Sequence, residues 1–125
     1  MTAPAADGRA YYRGTIPGDT RRISTGNAWW DGHLFVAARR ERALCYGPEI
    51  ETVAFRPDAR ILRAGTRQFT AVERAAGVYR KTMGALDKAT SVARQAELDG
   101  YAAVDFVSDF AGTIVLDESA VTRGV

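Results

Sequence analysis

The chain has 125 residues, of which 46% are apolar and 26% are charged, and its formal net charge is only +2. A chain of this length suits one domain, and the composition is that of a folded protein rather than a disordered one. The small net charge argues against strong electrostatic binding of nucleic acid, and no apolar run reaches the roughly 18 residues that a membrane span requires.

Residues 1–9 combine alanines with a proline and a glycine, so we expect a flexible tail there, followed by one domain over residues 10–125. The N-terminus lacks the basic and apolar stretches of a secretory signal, and the lone Cys45 fits a reducing compartment. A cytoplasmic protein is therefore expected. The single histidine, His33, and this cysteine are too few for a zinc site of the usual kind, and no metal is expected.

Three elements are predicted in the first half of the chain. Residues 10–13 (AYYR) are typical of a strand, which Gly14 is expected to end. Residues 33–37 (HLFVA) predict a second strand. Residues 39–46 contain helix formers and precede Gly47-Pro48, a pair that ends helices, so a short helix is expected there.

Two strands and two helices are predicted next. Residues 50–55 alternate imperfectly, so they predict a strand without deciding which face is buried, and residues 60–64 predict another. Thr70 and Glu73 offer a capping box at the start of the first helix. Its apolar stripe consists of Phe69, Val72, Ala76, Tyr79 and Met83. The stripe of the second helix consists of Leu86, Ala89, Val92 or Ala93, and Ala96, and Asp99-Gly100 closes it.

The end of the chain is predicted to be a β-hairpin. Residues 102–107 and 113–116 are apolar runs, and the five residues between them are typical of a loop. Strands and helices are thus segregated along the chain rather than strictly alternating. This order favours an α+β fold over a doubly wound sheet.

Three features are candidates for chemistry, and each has a plain structural alternative. Arg13-Gly14-Thr15 offers a phosphate-binding guanidinium and a close backbone approach, or only a strand end and a turn. Phe35 and Tyr46 could hold a flat ring between them, or lie in the core. Asp109 lies in the hairpin loop, where carboxylates are either functional or simply solvated.

The order of these features resembles that of the ADP-ribosyltransferase superfamily, over residues 11–121. Residues 11–15 (YYRGT) are similar to its first-strand motif, and residues 32–46 (GHLFVAARRERALCY) to its second, a strand leading into a helix that finishes in tyrosine. Residues 100–104 (GYAAV) and 112–117 (GTIVLD) resemble the steps into and out of its last hairpin. The resemblance implies an ADP-ribosyltransferase-like split β-sandwich with a few helices.

The resemblance also implies a site that binds NAD as substrate and needs no metal. Arg13, with Arg21 or Arg22, would anchor the phosphates or ribose, and Gly14 and Thr15 complete the first motif. Phe35 and Tyr46 would flank the nicotinamide. Asp109 would act as the catalytic carboxylate, since Gly112 and Thr113 occupy the positions where the family normally has a glutamate. Small phage-borne members, including an anti-CRISPR ADP-ribosyltransferase, use an aspartate in this region.

The function implied is mono-ADP-ribosylation of a macromolecule of the host, a protein rather than a nucleic acid, by a phage or mobile-element effector. A different fold, in which the basic residues 39–42 contact nucleic acid, stays open as an alternative. Two further alternatives keep the same fold. One is an NAD glycohydrolase toxin, which uses the same cleft with water as the acceptor. The other is a non-catalytic interaction module that retains the fold.

Overall fold

The computed structural model describes residues 10–15, 33–45, 47–78, 84–106 and 112–123. Several predictions fall outside these ranges, namely those on the tail 1–9 and on Arg21, Arg22, Tyr46, Tyr79, Met83 and Asp109. The described strands are β1 (Ala10–Thr15), β2 (Leu34–Val36), β3 (Glu49–Phe55), β4 (Ile61–Arg63), β5 (Ala103–Asp105), β6 (Thr113–Val115) and β7 (Val121–Arg123). The described α-helices are α1 (Arg40–Ala43), α2 (Arg67–Ala76) and α3 (Ala85–Leu98).

The strands form two sheets. The three-stranded sheet has the order β1-β3-β7, with antiparallel pairs throughout. The four-stranded sheet has the order β2-β6-β5-β4, in which only the β4–β5 pair is parallel. The predicted hairpin is therefore confirmed as β5 and β6. Together with the helices, the two sheets confirm the α+β fold class.

Apolar side chains fill two layers, one between the sheets and one under the helices. Between the sheets, Tyr11 packs edge-on against Phe55 with ring centroids 5.2 Å apart, and Val53 lies beside them. This contact settles which face of β3 is buried, because Val53 and Phe55 share it. The second layer joins the other face of the four-stranded sheet to α2 and α3, through Val72 and Ala96 among others.

The ends of α2 differ from the sequence prediction. The helix begins at Arg67, and its cap is Thr66, whose hydroxyl accepts the Phe69 N–H at 3.2 Å. The predicted capping box was wrong: Thr70 lies inside the helix, where its hydroxyl donates to the Thr66 carbonyl at 3.3 Å. Gly77 ends α2 in the left-handed region with φ of 70°, a conformation that glycine adopts without steric cost. The second predicted helix is confirmed as α3, and Ala89, Val92, Ala93 and Ala96 of its predicted stripe are buried.

Two further differences concern short elements. The predicted helix over residues 39–46 is one turn, α1, followed by a turn at Leu44 and Cys45. The hairpin is also not the last described element, because a 3₁₀ turn (Glu118–Ala120) leads to β7, which pairs with β3. Three residues are too few to carry a period-two pattern, so sequence alternation could not reveal this strand.

Candidate functional site

β1 is an edge strand of the three-stranded sheet, and it lies beside β2, an edge strand of the four-stranded sheet. One bridge joins these edges, at which Tyr12 and Ala37 exchange two backbone hydrogen bonds of 2.8 Å. If the register of that bridge continued, Gly14 would stand opposite Phe35. Among the described residues no hydrogen bond joins these two, so the ladder stops after one pair. We call this place, made of Tyr12, Gly14, Phe35 and Ala37, the seam.

Gly14 directs backbone polar groups into the seam. Alternate residues of a strand send their N–H and C=O to opposite edges. Tyr12 uses its own toward Ala37, so Gly14, two residues on, sends its N–H and C=O toward the same edge and away from β3. An amide-bearing ligand at this edge would meet one donor and one acceptor.

Gly14 is also required by packing. A Cβ placed on Gly14 would lie 1.7 Å from the carbonyl oxygen of Ala43 and 3.1 Å from that of Gly47. No side chain fits there, so glycine lets the end of α1 rest directly on β1. This contact accounts for the glycine without any ligand. β1 runs through Gly14 to Thr15, so the predicted strand end at this glycine was wrong.

Arg13 and Thr15 lie on the other face of β1. They share that face with Tyr11, which is buried between the sheets. Arg13 stands opposite Glu51 of β3 in the register, so a carboxylate competes there with any phosphate for the guanidinium. Thr15 donates a long hydrogen bond of 3.5 Å to the Glu49 carbonyl. The bridge at Tyr12 and Ala37 thus brings the strands of Gly14 and Phe35 side by side, while Arg13 lies on the opposite face of β1 from Gly14.

Phe35 is half-buried on the helix side of the four-stranded sheet. Its register partner on β6 is Ile114, and both contribute to the apolar layer beneath α2 and α3. Phe69 of α2 and Phe106 after β5 meet edge-on nearby in that layer, with centroids 6.1 Å apart. Phe35 therefore lies on a strand of the seam, and its ring packs in part against the core beneath α2 and α3.

The residues on either side of the hairpin loop, Phe106 and Gly112, lie in the described part of the chain. The Phe106 N–H donates to the Gly112 carbonyl at 3.0 Å, which closes the base of the segment 107–111. The predicted carboxylate, Asp109, belongs to that segment and lies outside the described residues. Gly112 has φ of 60°, and Thr113 is 1% exposed. The two positions at which the resembled family carries a glutamate are therefore tightly packed.

Sequence reasoning missed a polar network between the sheets. Arg63 donates to Asp105 at 2.8 Å and, through its other terminal nitrogen, to the Tyr11 hydroxyl at 3.3 Å. The side chains of Arg63 and Asp105 are 26% and 14% exposed. A signal was present in the sequence, because two short apolar runs, Ile-Leu-Arg and Ala-Val-Asp, end in opposite charges. Arg63 and Asp105 are register partners in the parallel pair β4–β5.

The described residues contain neither a metal-binding cluster nor a membrane-spanning helix. No group of three or more histidine, cysteine, aspartate or glutamate side chains lies close enough together to hold a metal ion. No helix in the described ranges combines the length and the apolar character needed to cross a bilayer.

Comparison with known proteins gives one informative likeness. No protein-family model matches the sequence, and no curated protein matches it either. Among solved structures, the crystal structure of an anti-CRISPR protein superposes with a TM-score of 0.60, over 98% of this chain and 98% of that one. The identity is 13%, so the likeness concerns the fold alone. The described architecture is thus one that a solved anti-CRISPR protein also adopts.

Proposed function

We propose that this protein is an anti-CRISPR-type effector that transfers ADP-ribose from NAD to a protein of the host. The observation that carries the proposal is the seam, where the bridge at Tyr12 and Ala37 brings the backbone edge of Gly14 toward the strand that carries Phe35, and where no described residue bonds that edge. A nicotinamide carries a carboxamide and a flat ring. The Gly14 edge matches the carboxamide, and the Phe35 ring matches the flat ring.

The reaction breaks the bond between the nicotinamide nitrogen and C1′ of the ribose. The bonding electrons leave with nicotinamide, and a positive charge develops on the ribose as in glycoside cleavage. A lone pair of the acceptor then forms the new bond to C1′, and the acceptor loses a proton. A carboxylate near the ribose stabilises that charge. By resemblance this carboxylate is Asp109, and its loop emerges between Phe106 and Gly112, at the ends of β5 and β6.

Two facts support placing this protein in the anti-CRISPR class. The fold likeness extends over 98% of both chains, so the shared architecture is the whole domain rather than a common fragment. In the resembled family, small phage-borne members use an aspartate in the region that corresponds to Asp109.

A non-catalytic inhibitor is the second candidate, and the packing of Gly14 favours it. The Ala43 carbonyl oxygen already explains the glycine, and Gly112 and Thr113 leave no acid at the family position. In that case the protein blocks its target by binding alone, and the seam is only a structural junction.

The test combines an enzyme assay with a phage assay. Purified wild-type protein, Phe35→Ala and Asp109→Ala are incubated with NAD, with and without lysate of a CRISPR-bearing host, and nicotinamide release is measured. The same variants are tested for restoring phage plaques on immune hosts. Release that depends on lysate, together with loss of both activities in the variants, supports the transferase.

Two other outcomes point elsewhere. Plaque restoration that survives both substitutions, without nicotinamide release, selects the non-catalytic inhibitor. Release without lysate and without labelled protein selects the glycohydrolase. Phe35→Leu is the matched control, since it keeps an apolar side chain in the layer beneath α2 and α3 and removes only the aromatic surface.

A further inference from the structure

We infer that Arg63 is a positioning residue for the proposed reaction, because it ties β1 at the seam to the base of the 107–111 loop. This inference rests on the proposed function. Arg63 contacts both parts of the proposed site, the seam side through Tyr11 and the loop base through Asp105. One terminal nitrogen contacts Asp105, directly before Phe106, and the other contacts Tyr11, directly before Tyr12.

The register places Arg63 among polar neighbours on the face that meets the other sheet. Arg63, Asp105 and Thr113 follow one another across β4, β5 and β6, and we call these three residues the polar row. A second row, made of apolar side chains, runs alongside the polar row on the same face. Its residues lie two positions before the polar row on β4 and β5 and two positions after it on β6. This apolar row consists of Ile61, Ala103, Val115 and Leu34.

Stability alone does not explain the polar row. The apolar row has the same geometry and is buried, so apolar side chains fit between these sheets. A partly buried ion pair stabilises a fold no better than well-packed apolar side chains of similar volume. The Thr113 hydroxyl is also buried, and no hydrogen bond to it is found among the described residues, which costs free energy. A polar arrangement held at such a cost, next to a candidate site, points to a role in function.

The planar guanidinium makes Arg63 suited to this role. Its fork can hold a carboxylate and a hydroxyl in fixed directions at once, which a lysine ammonium cannot do in the same way. Tyr11 is 1% exposed and packs on Phe55, so its hydroxyl is a rigid anchor in the three-stranded sheet. Through this fork, the start of the loop and the edge of Gly14 keep a constant separation.

Two backbone amides report on the inference directly. The Tyr12 N–H bonds to Ala37 across the seam, and the Phe106 N–H bonds to Gly112 at the loop base. We expect Arg63→Met to speed hydrogen exchange at both amides by about tenfold relative to the mean of the core amides. In Arg63→Lys, which keeps a charge for Asp105 but loses the second contact, only the Tyr12 amide should exchange faster.

The kinetic arm uses Ile61→Val and Ile61→Ala as controls. Ile61 lies two residues before Arg63 on the same face. Its two variants should lose less and more stability than Arg63→Met, respectively, and both leave the polar row intact. Arg63→Met is expected to lower kcat for nicotinamide release by about a hundredfold, the cost of a small misplacement of reacting groups. A control of equal melting temperature should keep kcat within about twofold, and Arg63→Lys should lie between.

The outcomes separate the inference from the proposed function. Absence of nicotinamide release by the wild-type protein overturns the proposed function, and the exchange of the two amides still decides whether Arg63 holds the seam. With an active wild type, exchange or kcat in Arg63→Met no different from the stability-matched Ile61 variant overturns the inference. Selective exchange at both amides, with selective loss of kcat, supports it.

Discussion

The apolar row and the polar row lie side by side on one face of one sheet, and they use opposite means to hold the two sheets together. The apolar row is fully buried hydrocarbon, with Leu34 and Ala103 at 0% exposure. The polar row combines an ion pair, a hydrogen bond to Tyr11 and a buried hydroxyl. Burial stabilises without direction, whereas the polar contacts fix distances and angles. The difference indicates that one row supplies cohesion and the other supplies geometry.

The apolar row gives the largest expected effect on stability. Leu34→Ala removes a side chain with 0% exposure from the core between the sheets. We expect the free energy of unfolding to fall by about 2–5 kcal/mol, from lost burial and from the cavity left behind. Denaturant titration measures this fall. A loss below about 1 kcal/mol would contradict the role of this row in cohesion.

The second-largest effect on stability is expected from removing one partner of the ion pair in the polar row. Arg63→Met leaves Asp105 without its 2.8 Å partner in a half-buried place. A fully buried pair broken in this way costs about 3–5 kcal/mol, and partial exposure reduces the expected loss to about 1–3 kcal/mol. The double variant Arg63→Met with Asp105→Leu should recover part of it, because the half-buried charge that lost this partner is removed as well. A double variant less stable than the single one would mean that the pair itself supplies cohesion.

Thr113→Val tests the polar row with a smaller change of opposite sign. Valine has nearly the shape of threonine without the hydroxyl, and Thr113 is 1% exposed. Since no described residue bonds that hydroxyl, we expect the free energy of unfolding to rise by about 1 kcal/mol. Thermal unfolding measures the change, with Thr113→Ser as the control that keeps the hydroxyl. Destabilisation by valine alone would show that the hydroxyl has a structural partner.

The smallest effect on stability is expected from Asp117, a charged residue outside both rows. The Ser119 hydroxyl, donating to Asp117, holds the pKa of that carboxyl below its ordinary value, with a smaller contribution from the charge of Arg56. The Asp117 carboxylate therefore contributes to stability above its unfolded-state pKa. This contribution is lost as the pH falls through the lower folded-state pKa.

Solvent screens this exposed group, so Asp117→Asn should flatten the acid limb of the stability curve only slightly. Unfolding followed between about pH 2 and pH 5 measures the slope. Asp58→Asn is the control, because Asp58 meets Arg56 in a solvent-exposed pair with a separation of 3.4 Å. A larger change of slope in the control than in Asp117→Asn would contradict the assignment.

Sequence patterns predicted the longer elements better than the contacts between them. The stripe of α3 and the hairpin of β5 and β6 follow from periodicity, which is a local property. The position of Gly14 against Ala43 depends on how two distant segments pack, and no local pattern encodes it. The start of α2 was misplaced because Thr70 was taken as the cap, whereas the Phe69 N–H donates to the hydroxyl of Thr66, four residues before Thr70.

The candidate site was predictable in part. Gly14 and Phe35 were singled out from the sequence, and the bridge at Tyr12 and Ala37 brings their strands side by side, while their role in a site stays a prediction. Arg63 and Asp105 were missed, since a charge at the end of a short strand usually faces solvent. Only the parallel pairing of β4 with β5, which joins residues 42 apart in the chain, makes them partners.

The single bridge at Tyr12 and Ala37 has a mechanical consequence. In the described part of the chain, backbone bonding between the two sheets is confined to this pair of hydrogen bonds. A force that pulls β1 away from β2 therefore loads two bonds, whereas a force along a sheet loads a whole ladder in shear. Among the backbone hydrogen bonds of the described strands, the two at the seam should therefore break first under such a load.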